Sequence, residues 1–254
     1  MSFTGKVVIV TGASSGIGAD AARHLAKLGA KVSIVGRNEK RLNQVAEQIK
    51  SAGSPAPLAI VADVTKDAQR IVDKTIKHFG KLDVLLNNAG IVIQDNVTEI
   101  NLSEFDRIFD TNVRSVITLT KLSVPYLEKT KGNIVNVSSV AGLKAIPNIM
   151  TYCMSKAALD QFTKCSALDL APKGIRVNSI NPAAVRTPIF ETFGVNEEQA
   201  EKMLEEYKKR YPLGRVGEVH DTSAAIAYLA DDEVSSFLTG ILLPVDGGSI
   251  VAGV

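Results

Sequence analysis

Short, nearly all-apolar runs rich in valine, isoleucine and leucine alternate along the chain with longer helical stretches. The apolar runs fall at 6–10, 31–35, 58–61, 82–86, 133–137, 176–180 and 242–244. Runs of this length and composition predict parallel strands covered on both faces. Between them, 17–28, 39–51, 67–79, 103–128, 152–170 and 221–229 predict helices. Strand–helix alternation implies parallel pairing through right-handed crossovers. The predicted class is therefore α/β: a single-domain, doubly wound (Rossmann-type) parallel sheet of about seven strands with helices on both faces. No Pro/Gly/Ser linker divides the chain and no repeat of solenoid period is present, so 1–254 reads as one domain. Residues 188–218 break the rhythm. They combine Ile189, Phe190 and Phe193 with a charged run from Glu197 to Arg210. The stretch reads as a surface helix with its loops, or as a lid over a ligand.

The first strand runs into Thr11-Gly12-Ala13-Ser14-Ser15-Gly16-Ile17-Gly18 and then a helix. A glycine trio lets the backbone turn sharply and approach phosphate. The helix start beyond it offers free N–H groups and a partial positive charge. Directly after the first strand of an alternating chain, this pattern points to a dinucleotide pyrophosphate. An NAD site places a carboxylate at the end of the second strand for the ribose 2′-hydroxyl. Here that segment is Ile34-Val35-Gly36-Arg37-Asn38, with no carboxylate before Glu39. Arg37 could instead pair with a 2′-phosphate, which favours NADP(H) over NAD(H). Asp63 and Val64 follow the third strand and are expected at the adenine end, with Asp63 or Thr65 also able to cap the next helix.

Tyr152 and Lys156 are four apart in a predicted helix, so their side chains share a face. A phenol with a pKa of about 10 is a poor acid/base at neutral pH. A cation ~4 Å away interacts with it by about 4 kcal/mol at an effective dielectric near 20, enough to bring it toward about 7. Ser139 stands at the carboxyl end of the fifth strand, where α/β sheets bind ligands, and its hydroxyl can steady a substrate oxygen. Asn112 lies within the predicted helix 103–128, a poor place for asparagine.

Charge and cysteine content narrow the partners. A formal net charge of +2 argues against nucleic acid or a membrane surface. Cys153 and Cys165 cannot make a disulfide framework, and His24, His78 and His220 lack metal-ligand spacing. No apolar stretch suits a signal peptide or a membrane helix, so a reducing, cytoplasmic setting is expected.

Taken in order, the TGASSGIG loop at 11–18, Asp63, Asn87-Asn88-Ala89-Gly90, Asn112, Ser139, Tyr152, Lys156, Asn181-Pro182 and Val185-Arg186-Thr187 resemble the short-chain dehydrogenase/reductase family over essentially the whole chain. The resemblance implies that Tyr152 donates the proton in reduction and accepts it in oxidation. It implies that Lys156 holds the nicotinamide ribose and lowers the Tyr152 pKa, that Ser139 positions the carbonyl, and that Asn112 holds a water linking Lys156 to solvent. Asn88, Ala89 and Gly90 would line the cofactor, with Pro182, Val185 and Thr187 near the nicotinamide. The family often has glycine where Ala183 stands, a difference that matters if the backbone there needs a positive φ. Family members of this length ending in Asp246-Gly247-Gly248 are commonly homotetramers. The expected activity is reduction of a bulky, steroid-like ketone with NADPH. A 3-oxoacyl-thioester reductase is the second reading, and a non-catalytic dinucleotide-binding regulator the third.

Overall fold

The computed structural model describes residues 1–189 and 195–253. In chain order the elements are β1 (Val7–Thr11), α1 (Gly16–Lys27), β2 (Lys31–Gly36), α2 (Glu39–Ser51), β3 (Leu58–Val61), α3 (Ala68–Phe79) and β4 (Val84–Asn87). Then come α4 (Leu102–Phe109), a π-helical turn (Asp110–Arg114), α5 (Ser115–Thr130), β5 (Asn133–Val137), α6 (Met150–Leu170), β6 (Arg176–Pro182), α7 (Glu197–Arg210), α8 (Val219–Ala230) and β7 (Leu242–Val245). The strands form one parallel sheet of seven in the order β3-β2-β1-β4-β5-β6-β7.

Strand alternation sends side chains to two cores. Val8 and Val10 of β1 meet α1, α2 and α8 through Ala22, Leu42, Ile49 and Ile226. Val7 and Ile9 face the opposite layer, where Ile71, Leu119 and Ala167 bring in α3, α5 and α6. Both faces are covered, which is why the strands carry continuous apolar runs instead of an alternating pattern. Strand order reverses between β1 and β4, and a crevice opens there at the carboxyl ends of the strands. Among the described residues no helix is long and apolar enough to cross a membrane.

The predicted helix 103–128 is not continuous. It divides into α4 and α5 around the π-helical turn that contains Asn112. The wider turn inserts an extra residue, a feature that recurs at functional sites. It turns Asn112 into the protein, where the side chain is fully buried and satisfied. Smaller corrections concern ends. β1 and β4 continue to Thr11 and Asn87, and β6 reaches Pro182, paired to Val245 of β7. Helix α8 begins at Val219, because Glu218 and Asp221 form a reciprocal capping box ahead of the predicted start. In the segment 188–218, a helix does form at Glu197–Arg210, capped by Asn196 and Gln199. Phe190 and Phe193 lie outside the described residues.

Candidate active site

The crevice is a cleft of about 990 Å³. Its floor begins with the glycine-rich loop. Gly12 adopts φ +65, and a Cβ there would lie 2.9 Å from the Ala89 Cα. Asn88 explains the tightness. Its Nδ2 donates to the Thr11 carbonyl at 2.8 Å, while Thr11 Oγ1 accepts from the Asn88 and Ala89 amides at 2.9 and 3.0 Å. The segment after β4 is thus stitched to the loop after β1. Gly12, Ser14, Ser15, Gly16 and Ile17 line the cleft, as do Asn88, Ala89 and Gly90. Gly18 does not. It packs beneath the loop, where a Cβ would come within 2.3 Å of Asn88 Nδ2 and 2.5 Å of the Gly12 carbonyl. Helix α1 starts at Gly16; Ser15, at the N-cap position, makes no side-chain cap, and the first turn holds no acidic residue. Uncapped N–H groups over a cradle with no room for a Cβ fit a pyrophosphate.

Arg37 and Asn38 stand exposed on the cleft wall at the end of β2. The Asn38 side chain accepts from the Arg41 amide at 2.9 Å and so caps α2. Asp63 and Val64 also line the cleft. Neither Asp63 nor Thr65 caps α3, whose preceding residue is Asp67. Asp63 instead folds onto Thr65, accepting from its amide at 2.9 Å and its hydroxyl at 2.8 Å. Burial opposes ionisation of Asp63, but the Thr65 donors, Arg37 and Lys66 outweigh it and hold the carboxyl below its ordinary range.

Helix α6 delivers Tyr152 and Lys156 to the cleft. Its N-cap residue, Ile149, has no side-chain acceptor. A carboxylate from a remote loop does that work: Asp95 accepts from the Thr151 amide at 3.1 Å and from the Thr151 hydroxyl. Negative charge at a helix start is stabilising, and here it fixes the turn that carries Tyr152. Deeper along α6, Thr163 joins a buried relay in which Asn87 donates to Asn136 and Asn136 to Thr163, each at 2.9 Å. The relay ties the helix to β4 and β5.

The predicted pair does share a face, with Lys156 Nζ 5.5 Å from the Tyr152 ring centre. The expected lowering of the tyrosine pKa is not what the fold produces. Burial pushes Tyr152 up to about 12, and the hydrogen bond with Ser139 only partly offsets this. Burial also pulls Lys156 down to about 8. The ammonium donates to the Val137 carbonyl at 2.8 Å, so its charge is directed at the end of β5 rather than at the phenolic oxygen. Ser139 meets Tyr152 through a side-chain hydrogen bond. Asn112 lies close by but off the cleft wall. Its amide accepts from the Ile91 N–H and donates to the Ile91 carbonyl, both at 2.9 Å, and to Ser155 at 3.1 Å. A Cβ on Gly90 would lie 3.4 Å from Asn112 Oδ1 and 3.6 Å from Lys156 Nζ, so Gly90 separates the two.

Pro182, Val185 and Thr187 close the far end of the cleft. Ala183 donates to the Val245 carbonyl at 3.1 Å. Its φ is not positive, so the alanine costs the loop nothing. Val185 and Arg186 are held by a bridge to Gly217. Arg186 pairs with Glu201 of α7 and, at 3.5 Å, with Glu218. Helix α7 makes a small core of its own with Leu204, Tyr211 and Val216. Through it Tyr207 and Tyr211 reach the cleft, and the Tyr211 hydroxyl accepts from the Ala184 amide at 3.0 Å. These two tyrosines and Asp95 escaped the sequence reading, because their neighbours are distant in the chain. Asp160, another buried carboxylate, had a legible signal: it is one turn beyond Lys156 on the same helix.

Known proteins share this layout throughout. The sequence family described as enoyl-(acyl carrier protein) reductase matches residues 12–249. An uncharacterised oxidoreductase of Thermotoga maritima is 42% identical over 250 residues, spanning 98% of this chain and 99% of that protein. A crystal structure of a short-chain dehydrogenase/reductase from Caenorhabditis elegans, solved with cofactor, superposes with a TM-score of 0.94 at 37% identity, covering 98% and 96% of the two chains. A 3-ketoacyl-(acyl-carrier-protein) reductase from Brucella melitensis, complexed with NADH, gives a TM-score of 0.89 at 36% identity over 98% and 99%. With a cradle shaped for a dinucleotide and kinship along nearly its full length, this chain belongs to the short-chain dehydrogenase/reductase family and is an oxidoreductase of CH–OH and carbonyl groups.

Proposed function

We propose that this protein reduces a ketone to a secondary alcohol with NADPH, Tyr152 being the proton donor. The observation that carries the reading is the meeting of the Tyr152 phenol, the Ser139 hydroxyl and the Lys156 ammonium on the floor of a dinucleotide-shaped cleft. When bound, the nicotinamide supplies the hydride. Ser139 orients the carbonyl oxygen toward Tyr152, and Tyr152 hands that oxygen its proton. Lys156 holds the ribose, and Asn112 holds the backbone at Ile91 and the α6 residue Ser155 around it. Gly12, Ser14, Ser15, Gly16 and Ile17 bind pyrophosphate. Asp63 and Val64 meet the adenine, and Pro182, Val185 and Thr187 meet the nicotinamide. The stretch 188–218 acts as a lid over the substrate within a single catalytic domain, and the enzyme assembles as a homotetramer.

A phenol pushed up to about 12 holds its proton at neutral pH, the form a proton donor needs and a base does not, although the shift moves it further from the working pH than a free phenol. The sign of the pH dependence follows. kcat/KM for the cofactor reports groups of the free enzyme. In reduction it is expected to stay level below about pH 8 and to fall above it, as Lys156 loses the proton that makes it a ribose-holding cation. Oxidation needs both the phenol unprotonated and Lys156 charged, so its kcat/KM climbs with pH up to about 8 and levels off above it, where loss of the Lys156 proton cancels the gain. A reduction profile that rises between neutral and alkaline pH, in steady-state assays, contradicts this assignment.

Preference for NADPH rests on Arg37, a cation on the wall where a carboxylate would select NAD. Arg37→Ala removes a charge-assisted hydrogen bond of about 1.5–3 kcal/mol. It is expected to lower kcat/KM for NADPH about ten- to hundredfold and to leave NADH nearly unchanged. Equal losses for both cofactors would remove the 2′-phosphate from the account.

The substrate side of the cleft carries Val92, Val140, Ile146, Ile149 and Ile189 with the ring of Tyr207. Apolar lining with two hydroxyls at its base supports a bulky, steroid-like ketone. Rates on a panel of steroid, quinone and short-chain ketones test this, and activity confined to small polar ketones overturns it. The likeness to an acyl-carrier-protein reductase favours a second reading, 3-oxoacyl-thioester reduction. A strict requirement for the thioester carrier in the same panel would select it.

A further inference from the structure

Beneath the catalytic pair lies a carboxylate that none of these steps uses. Asp160 is 4% exposed, as is Lys156 one turn before it on α6. Asn181, on β6, donates through Nδ2 to both Asp160 oxygens at 3.0 Å and to the Ser139 carbonyl at 3.0 Å. The same asparagine is oriented from its other side, its Oδ1 accepting from the Ser179 hydroxyl at 2.7 Å. Ser138 makes a further side-chain hydrogen bond to Asp160. Gly142, in the turn after Ser139, packs directly on this group. A Cβ there would sit 2.3 Å from Asp160 Oδ2 and 2.8 Å from the Lys156 carbonyl carbon. One carboxylate therefore touches the helix that carries Tyr152 and Lys156, the strand end that carries Ser139, and β6.

We propose that Asp160 is a positioning residue of this enzyme, which fixes Ser139 through Asn181 and supplies the buried counter-charge that keeps Lys156 cationic. The inference rests on the assignment of Tyr152 and Lys156 to proton transfer and ribose binding. Burying an ammonium without a partner costs several kcal/mol, and the group then sheds its proton. Asp160 acts against that loss, raising the Lys156 pKa while burial lowers it. It acts on Tyr152 in the same upward sense. The charged and titratable groups facing it on α6 are Lys156, Lys164 and Tyr152, while the β5 end, β6 and the turn present Ser138, Asn181 and the Gly142 backbone. Burial raises the Asp160 pKa itself, and the Ser138 and Asn181 donors, with Lys156 and Lys164, moderate the rise.

Neutralising Asp160 removes a negative charge near both members of the pair, so both pKa values fall. Asp160→Asn keeps the shape, and Asp160→Leu exchanges the buried charge for an apolar group of similar size. Each is expected to move the alkaline limb of kcat/KM for NADPH toward acid by about one pH unit. Asp160→Leu should also lower kcat several-fold, since Asn181 loses its acceptor and Ser139 its brace, whereas Asp160→Asn keeps an oxygen for Asn181 and should change kcat less, with the fold retained in thermal unfolding of both. A merely structural carboxylate would lower Tm and leave the limb in place. A limb unmoved in both folded variants overturns the proposal, and so does failure of both to fold. Tyr152→Phe is assayed beside them. If it keeps turnover, the proton-transfer assignment fails first. If it is inactive while the Asp160 limb stays fixed, only the role of Asp160 fails.

Discussion

Tyr152→Phe is expected to lower kcat for ketone reduction by about 10²–10⁴, the usual worth of a placed general acid. The ring stays, so the apolar contacts at the cleft floor survive. What goes is one hydroxyl, the only part of the side chain able to give a proton to an oxygen held by Ser139. Its loss leaves no deeply buried charge behind, because the phenol is neutral at working pH. Stability should change by no more than about 1 kcal/mol, the net worth of one hydrogen bond. NADPH affinity, followed by its fluorescence, should hold, since Lys156 and the glycine cradle are untouched. A fall in kcat with cofactor affinity and Tm preserved is the signature of a lost proton donor. If turnover survives, Tyr152 is not the acid.

Gly18→Ala should do its damage by another route. The added methyl has nowhere to go: the Asn88 amide would be 2.3 Å away and the Gly12 carbonyl 2.5 Å. Neither obstacle is a free side-chain end. Asn88 is tied to the Thr11 carbonyl, and the Gly12 carbonyl is backbone within the phosphate cradle. Relief requires the loop after β1 to part from the segment after β4. Overpacking of this kind costs about 1–3 kcal/mol. Because the strain falls on the cradle itself, it should appear as weaker NADPH binding by about ten- to hundredfold, along with a lowered Tm. Titration of NADPH fluorescence against the variant checks it, and an unchanged Kd would mean that Gly18 is dispensable to the cradle.

The structure supports the reading of β3, β5 and α2 to the residue, because apolar runs and cap residues are local signals. It departs where a distant partner decides. Asn112 looked like a flaw inside one long helix. The backbone at Ile91 and the Ser155 hydroxyl make it worth burying, and the helix widens into a π turn to do so. Asp63 was expected at the adenine end, with Asp63 or Thr65 also able to cap the next helix; it lines the cleft, and its carboxylate closes its own turn on Thr65 instead of capping α3. Ala183 raised a conformational question that the observed backbone answers, since its φ stays out of the left-handed region.

The catalytic pair shows the division most plainly. Spacing alone puts Tyr152 and Lys156 on one face of a helix, and the alternating pattern puts that helix beside a dinucleotide cradle. Those conclusions depend only on helical periodicity and strand composition, which any stretch of chain carries with it. The electrostatics do not travel that way. Desolvation depends on everything packed around a group, and Lys156 turns out to be buried against the Val137 carbonyl with Asp160 at its back. Sequence determined which groups meet. Tertiary burial decided the direction of both shifts, because removing water penalises the charged form of each partner: it raises the Tyr152 phenol more than the Ser139 hydrogen bond lowers it, and lowers Lys156 more than Asp160 raises it.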